Sequence, residues 1–136
     1  MYKKNTLLVM TIILSMLFIT SCKKDNPTET PVENLIITVG EGLTPKYSWT
    51  DANGNLTKVC RLCVYKASDL YDTIWGIDTP YDWFTDGISS PVTHGIVPEG
   101  AERYGVADIT PLPSNNSYRV LIQKMNGVQG YKDFSR

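Results

Sequence analysis

Two cysteines three residues apart, Cys60 and Cys63 in Cys-Arg-Leu-Cys, have the types and spacing best suited to chemistry in this chain. Such a pair can exchange a disulfide or supply half of a zinc site. Exchange needs a thiolate, which the amide groups of a helix start or a nearby cation stabilise. Here the pair lies in Val59-Cys-Arg-Leu-Cys-Val-Tyr65, a run that reads as a strand. Three strand steps of about 3.3 Å put the two Cα atoms roughly 10 Å apart, with the side chains on opposite faces. A disulfide closes below about 7 Å. Two structural thiols are therefore the expectation. A disulfide would need a bulge or turn, and a thiol-redox or metal role would need further partners. His94 is the one histidine, too few for zinc, and is expected to be a strand or turn residue. Ser89 and Ser90 stand outside any Gly-x-Ser-x-Gly elbow, and neither a Walker loop nor a dinucleotide fingerprint occurs. The chain thus reads as a non-enzyme without a cofactor or metal site.

Residues Ala67 to Glu102 carry no Lys or Arg, yet hold seven acidic side chains and five aromatic rings. Rings beside carboxylates can bind sugars, because a ring stacks on a pyranose face and a carboxylate accepts from hydroxyls. Paired carboxylates can instead hold Ca²⁺. The plainer expectation is that the rings fill a core and the Asp residues end strands. Against it stands a glycan or protein contact surface built from Trp75, Tyr81, Trp83 and Phe84, with Trp83-Phe84 between Asp82 and Asp86 as its exposed pair. Asp72-Thr73-Ile74 resembles the Asp-Thr-aliphatic acceptor of some Gram-negative bacteria, which would make Thr73 an O-glycosylation site.

These residues follow a segment of different character. Lys3 and Lys4 precede an uncharged apolar run, Leu7 to Ile19. That run is shorter than the roughly 20 residues of a spanning helix and has the layout of a signal peptide. It ends in Ile19-Thr20-Ser21-Cys22, which resembles the lipobox of bacterial lipoproteins. The resemblance implies cleavage after Ser21 and acyl chains on Cys22, hence a membrane partner reached through a lipid anchor. Several chains on one Cys hold a protein far longer than one. The next residues, through Asn34, are polar and Pro-containing and read as a flexible tether. No Asp follows Cys22 directly, and Lys24-Asp25 partly resembles a surface-export signal. An outer-membrane lipoprotein of a Gram-negative cell, on the cell surface or facing the periplasm, is expected. The net charge of −1 gives no electrostatic case for a nucleic-acid partner.

The expected organisation is a signal peptide over 1–21, a lipidated tether over 22–34, and one all-β domain over 35–136. In that domain, β-branched and aromatic runs alternate with Gly, Pro, Asn and Asp. The runs fall at Leu35–Val39, Lys46–Thr50, Leu56–Lys66, Thr73–Ile77, Pro91–Val97, Val106–Thr110, Tyr118–Met125 and Val128–Phe134. About seven strands in about 100 residues is the size of an immunoglobulin-like sandwich. Leu112-Pro-Ser-Asn-Asn-Ser-Tyr118 is similar to the strand E to F corner of fibronectin type III domains. The resemblance implies that Tyr118 is buried and returns its hydroxyl to the backbone near the corner. Trp49, ending an early strand, suits the centre of a two-sheet core. Trp75 followed by the run from Ile88 to Ala101 is similar to a segment in small bacterial surface lipoproteins of unassigned role. Together these features lead to the expectation of a noncatalytic binding or adhesion-type module for a glycan or protein. The alternatives are an assembly component of an envelope complex, and an exported thiol-redox protein using Cys60 and Cys63.

Overall fold

Short β-branched and aromatic runs between turn-forming residues leave too few consecutive positions for a helix and favour paired strands. The computed structural model describes residues 34–80, 87–105 and 107–136, and no helix occurs among them. The strands are β1 (Ile36–Val39), β2 (Lys46–Thr50), β3 (Arg61–Lys66), β4 (Asp69–Asp78), β5 (Val92–Thr93), β6 (Glu102–Arg103), β7 (Ser117–Gln123) and β8 (Gln129–Ser135). They form two antiparallel sheets, one in the order β1-β2-β5 and the other β6-β4-β3-β7-β8. The described residues are all-β, and their two sheets share one core, as a β-sandwich requires.

Alternation sets what each sheet buries. In β7, Tyr118, Val120 and Ile122 are buried and the residues between them are not. Across the register, Val120 faces Val64, and Ile122 faces Leu62. From the three-stranded sheet, Ile37, Tyr47, Trp49 and Val92 join the same apolar cluster. β4 breaks the alternation: Val64 pairs with Trp75 but Tyr65 pairs with Thr73. The extra residue, Ile74, forms a bulge that lets both Ile74 and Trp75 be buried.

Two side chains close the core as their sequence context suggests. Trp49 is buried and its Nε1–H donates to the Thr57 carbonyl at 2.8 Å. Tyr118 is buried and its hydroxyl donates to the Pro113 carbonyl at 2.7 Å, beside fully buried Leu112. Each ring thus enters the core with its polar atom paired, which avoids the cost of an orphaned group.

Several strands depart from the expected spans. The run Leu56–Lys66 is a strand only from Arg61 on. Thr57 gives its carbonyl to Trp49, and Val59 makes only an isolated bridge with Ile88, so residues 56–60 connect the two sheets. Pro91–Val97 shrinks to β5, two residues long. Residues 107–110 are not a strand, and Val106 lies outside the described residues. Ile109 instead donates its N–H to the Ile74 carbonyl at the edge of β4. Nearby, Tyr104 donates to the Gly76 carbonyl. A Cβ on Gly76 would stand 3.0 Å from the Tyr104 carbonyl oxygen, so this approach needs glycine.

The two ends of the sandwich are distinct. At one end the start of β1 meets the start of β8, where a Cβ on Gly130 would lie 2.9 Å from Leu35 Cβ. The connection from β2 to β3 begins there too, because Ile36 pairs with Thr50. At the other end, Arg136 donates to the Gly40 carbonyl, and β3 turns through Ala67-Ser68 into β4.

Candidate contact site

The β3–β4 hairpin ends in an irregular tip. Tyr65 pairs with Thr73, yet the next residue, Lys66, pairs with Asp69. Residues 70–72 therefore have no opposite number and bulge from the ladder. Asp69 Oδ1 accepts the Tyr71 backbone N–H at 3.0 Å, fixing the bulge from within. The consequence is an uncommon exposure: Leu70 is exposed and Tyr71 is 100% exposed, between the exposed carboxylates Asp69 and Asp72. An aromatic ring and a Leu held out together are what a binding surface uses, since a rigid ring offers large area at little entropic cost.

Next to the tip, the outer face of the five-stranded sheet continues the polar–aromatic character. Arg119 pairs across the sheet with Tyr65 on one side and Asp133 on the other. Its Nε and Nη2 donate to the two Asp133 carboxylate oxygens at 2.7 and 2.9 Å. The guanidinium lies over the exposed Tyr131 ring, 4.2 Å from its centre. That cation holds the Asp133 carboxyl below the usual carboxylate range. A second stack repeats the pattern along the sheet: Arg61 bonds Asp78 and lies 4.3 Å over Tyr104. Forked Arg–Asp pairs orient the rings without leaving a bare charge.

Between the stacks sits Tyr65, half-buried and paired across the ladder with Thr73. Thr73, the proposed acceptor of a glycan, is half-buried within β4. A Cβ on Gly105 would lie 3.1 Å from its methyl group.

The aromatic grouping expected from the sequence does not form a single surface. Trp75 is 0% exposed: it packs 6.3 Å from the Tyr47 ring and 4.7 Å from His94, and so belongs to the core. The bulge at Ile74 turns it inward, which corrects its place among the contact residues. Tyr81, Trp83 and Phe84 lie outside the described residues, as does Cys22. The flanks of 81–86 are at the Cys60 end of the sheet, since Thr79 donates to the Cys60 carbonyl and Ile88 pairs with Val59. Tyr71 is at the opposite end. Tyr65, Tyr104, Arg119 and Tyr131 were not singled out by sequence reading. Strict alternation through Tyr118–Gln123 is the signal that places Arg119 outward, and the same two-residue period puts Arg61 and Tyr65 on that face of β3, although Cys63 between them is buried.

Both thiols are free. Burial pushes the Cys63 thiol up to about 11 and also raises that of Cys60. Cys60 Sγ lies 3.4 Å from the Gln123 carbonyl oxygen. Arg61 favours the thiolate of each, but its charge is held by Asp78 and burial outweighs it, and neither Cys stands at a helix start. At neutral pH the folded chain is expected to react slowly with a thiol-specific disulfide reagent, and both Cys60 and Cys63 to titrate at once when urea unfolds it. Fast reaction of the folded protein would contradict this placement.

His94 is buried between the sheets and bridges them. Its Nε2–H must donate to the Ile109 carbonyl at 2.8 Å, so Nδ1 accepts from the Tyr47 hydroxyl at 2.9 Å. Burial lowers its pKa below that of a free imidazole, while the Ile109 carbonyl and Asp108 partly offset this. The pairing ties the ring to β2 through Tyr47 and to the segment beside β4 through Ile109. Among the described residues no three His, Cys, Asp or Glu side chains group as metal ligands. In comparison with known proteins, the chain matches no family model, no curated protein and no solved structure.

Proposed function

We propose that the chain is a lipid-anchored protein of the bacterial cell envelope whose β-sandwich is a noncatalytic contact module for a glycan or protein. The observation that carries the contact reading is Tyr71. It is wholly exposed on an internally braced tip, at the end of the sandwich opposite to where the chain arrives from Cys22. The anchor rests on Lys3, Lys4, the apolar run and Ile19-Thr-Ser-Cys22. The fibronectin type III-like type is supported by strand neighbours: β1-β2-β5 correspond to strands A, B and E, and β3-β7-β8 to C, F and G. The Tyr118–Pro113 hydrogen bond at the corner before β7 supports it further.

Two measurements test this reading. Fatty-acid labelling and detergent partition of the wild type and Cys22→Ser should give a labelled, detergent-requiring chain only for the wild type. Binding of the acylated chain to a glycan array and to purified envelope proteins should be lost in Tyr71→Ala. That substitution should change unfolding stability by less than about 0.5 kcal/mol, because the ring touches little. Retained binding in Tyr71→Ala would remove the tip from the contact surface. An intact mass without added hexose would end the glycosylation reading for Thr73.

A further inference from the structure

The end of the sandwich where the chain enters carries its own exposed apolar surface. Leu56 is 81% exposed and Ile36 is 53% exposed. They border one groove of about 280 Å³, whose floor is Thr38, Ser48, Thr50 and Ser90 on the outer side of the three-stranded sheet. A second recess of about 190 Å³ lies against Leu56, beside Thr57, Lys58 and Ser89. No acidic side chain lines either hollow. The nearest acidic residue along the chain, Asp51, has its carboxylate taken up by the N–H groups of Asn53 and Asn55 in the turn.

Connectivity says what such a surface meets. Asn34 is twelve chain steps from Cys22, and a fully extended chain of that length reaches about 40 Å at most. Asn34 lies two residues before Ile36. A protein held by acyl chains on Cys22 therefore keeps the Ile36–Leu56 end within one short tether of the bilayer, while Tyr71 lies at the far end. Exposed aliphatic groups confined next to a bilayer enter its interface, as the apolar face of an interfacial segment does.

We propose that Leu56 and Ile36 form a membrane-facing surface that seats this end of the sandwich on the lipid interface and points the Tyr71 tip away from it. The proposal rests on the lipid-anchor reading, and its occupant is a lipid surface. The test uses the full acylated chain in vesicles of phosphatidylethanolamine and phosphatidylglycerol containing brominated phosphatidylcholine. Leu56→Trp and Tyr71→Trp each add one indole at an exposed position, and the parent chain supplies the background. The added indole of Leu56→Trp is expected to show blue-shifted emission and strong quenching by the brominated lipid, and that of Tyr71→Trp neither. Equal behaviour of the two, in protein that still floats with the vesicles, would overturn the orientation and leave the anchor standing. Protein that does not float, with an unmodified Cys22 by mass, would overturn both. A detergent-stable dimer lost in Leu56→Ser would assign the groove to a second copy and overturn the lipid contact. Unchanged far-ultraviolet circular dichroism of each variant establishes that it has folded.

Discussion

Trp75→Ala is expected to destabilise the sandwich by about 3–5 kcal/mol, the range for deleting a large buried ring. The ring is fully enclosed, stacks with Tyr47 and lies against His94, so its removal opens a void between the two sheets. A domain of this size has a total stability of about 5–15 kcal/mol. At about 4–8 °C per kcal/mol, the midpoint should fall by more than about 12 °C. Trp75 Nε1 has no hydrogen-bond partner, so part of the cost of the native residue is an unpaired buried donor. Trp75→Phe, which removes that donor and most of the void, should therefore lose much less than Trp75→Ala. Thermal unfolding followed by circular dichroism checks both. A variant Trp75→Ala that melts like the wild type but no longer binds would return Trp75 to the contact surface. Tyr71→Ala provides the opposite pattern, with binding lost and melting unchanged, so the two rings separate packing from recognition.

The same pair of rings marks how far the sequence could be read. Strand runs were legible where alternation was clean: Lys46–Thr50 has its stated bounds, and the strands near Ser117–Gln123 and Gln129–Ser135 shift by a residue or two. The buried Tyr118 was legible because its corner depends on local spacing from Leu112. What failed was tertiary. A one-residue bulge at Ile74 and a three-residue bulge at 70–72 are set by the partner strand, and no local signal in Asp69–Asp78 announces either. They decide that Trp75 is covered and Tyr71 is bare. Likewise Leu56–Cys60 has the composition of a strand, but Trp49 takes the Thr57 carbonyl and the segment crosses between sheets instead. The Tyr65, Arg119 and Tyr131 face needed the register of three strands before its members could be seen as neighbours. His94 stands in a turn directly after β5, as a strand or turn residue was expected to, yet its two partners, Tyr47 and Ile109, are 47 and 15 residues away.

Those partners give the stability of the protein a pH dependence with a defined sign. In the folded chain His94 is neutral: Nε2–H serves the Ile109 carbonyl and Nδ1 receives the Tyr47 hydroxyl, so a second proton must displace the hydrogen that Tyr47 donates and leave that hydroxyl to find another partner in the core. Tyr47 cannot take it by ionising, because burial raises its own pKa. The folded pKa of His94 is below the unfolded value of about 6.5. Above that pH both states leave the ring neutral and His94 makes no pH-dependent contribution. As the pH falls through it, the unfolded chain binds a proton that the folded chain does not, and stability drops. The slope approaches about 1.4 kcal/mol per pH unit until the folded pKa is reached. The depressed carboxylates Asp51, Asp108 and Asp133 act in the same direction but only near and below the ordinary carboxylate range. The interval from about pH 6.5 to 5 therefore belongs to His94. His94→Leu should be flat across that interval in urea unfolding. It should also be less stable than the wild type at pH 7, by about 1–3 kcal/mol for each of the Tyr47 hydroxyl and the Ile109 carbonyl left unpaired. Adding Tyr47→Phe removes one of those orphans, so the double variant should recover part of the loss while staying flat. A wild type whose stability does not change from pH 7 to 5 would mean that the ring is charged or solvated in the folded state, and that the bridge between the sheets is not the neutral relay its geometry requires.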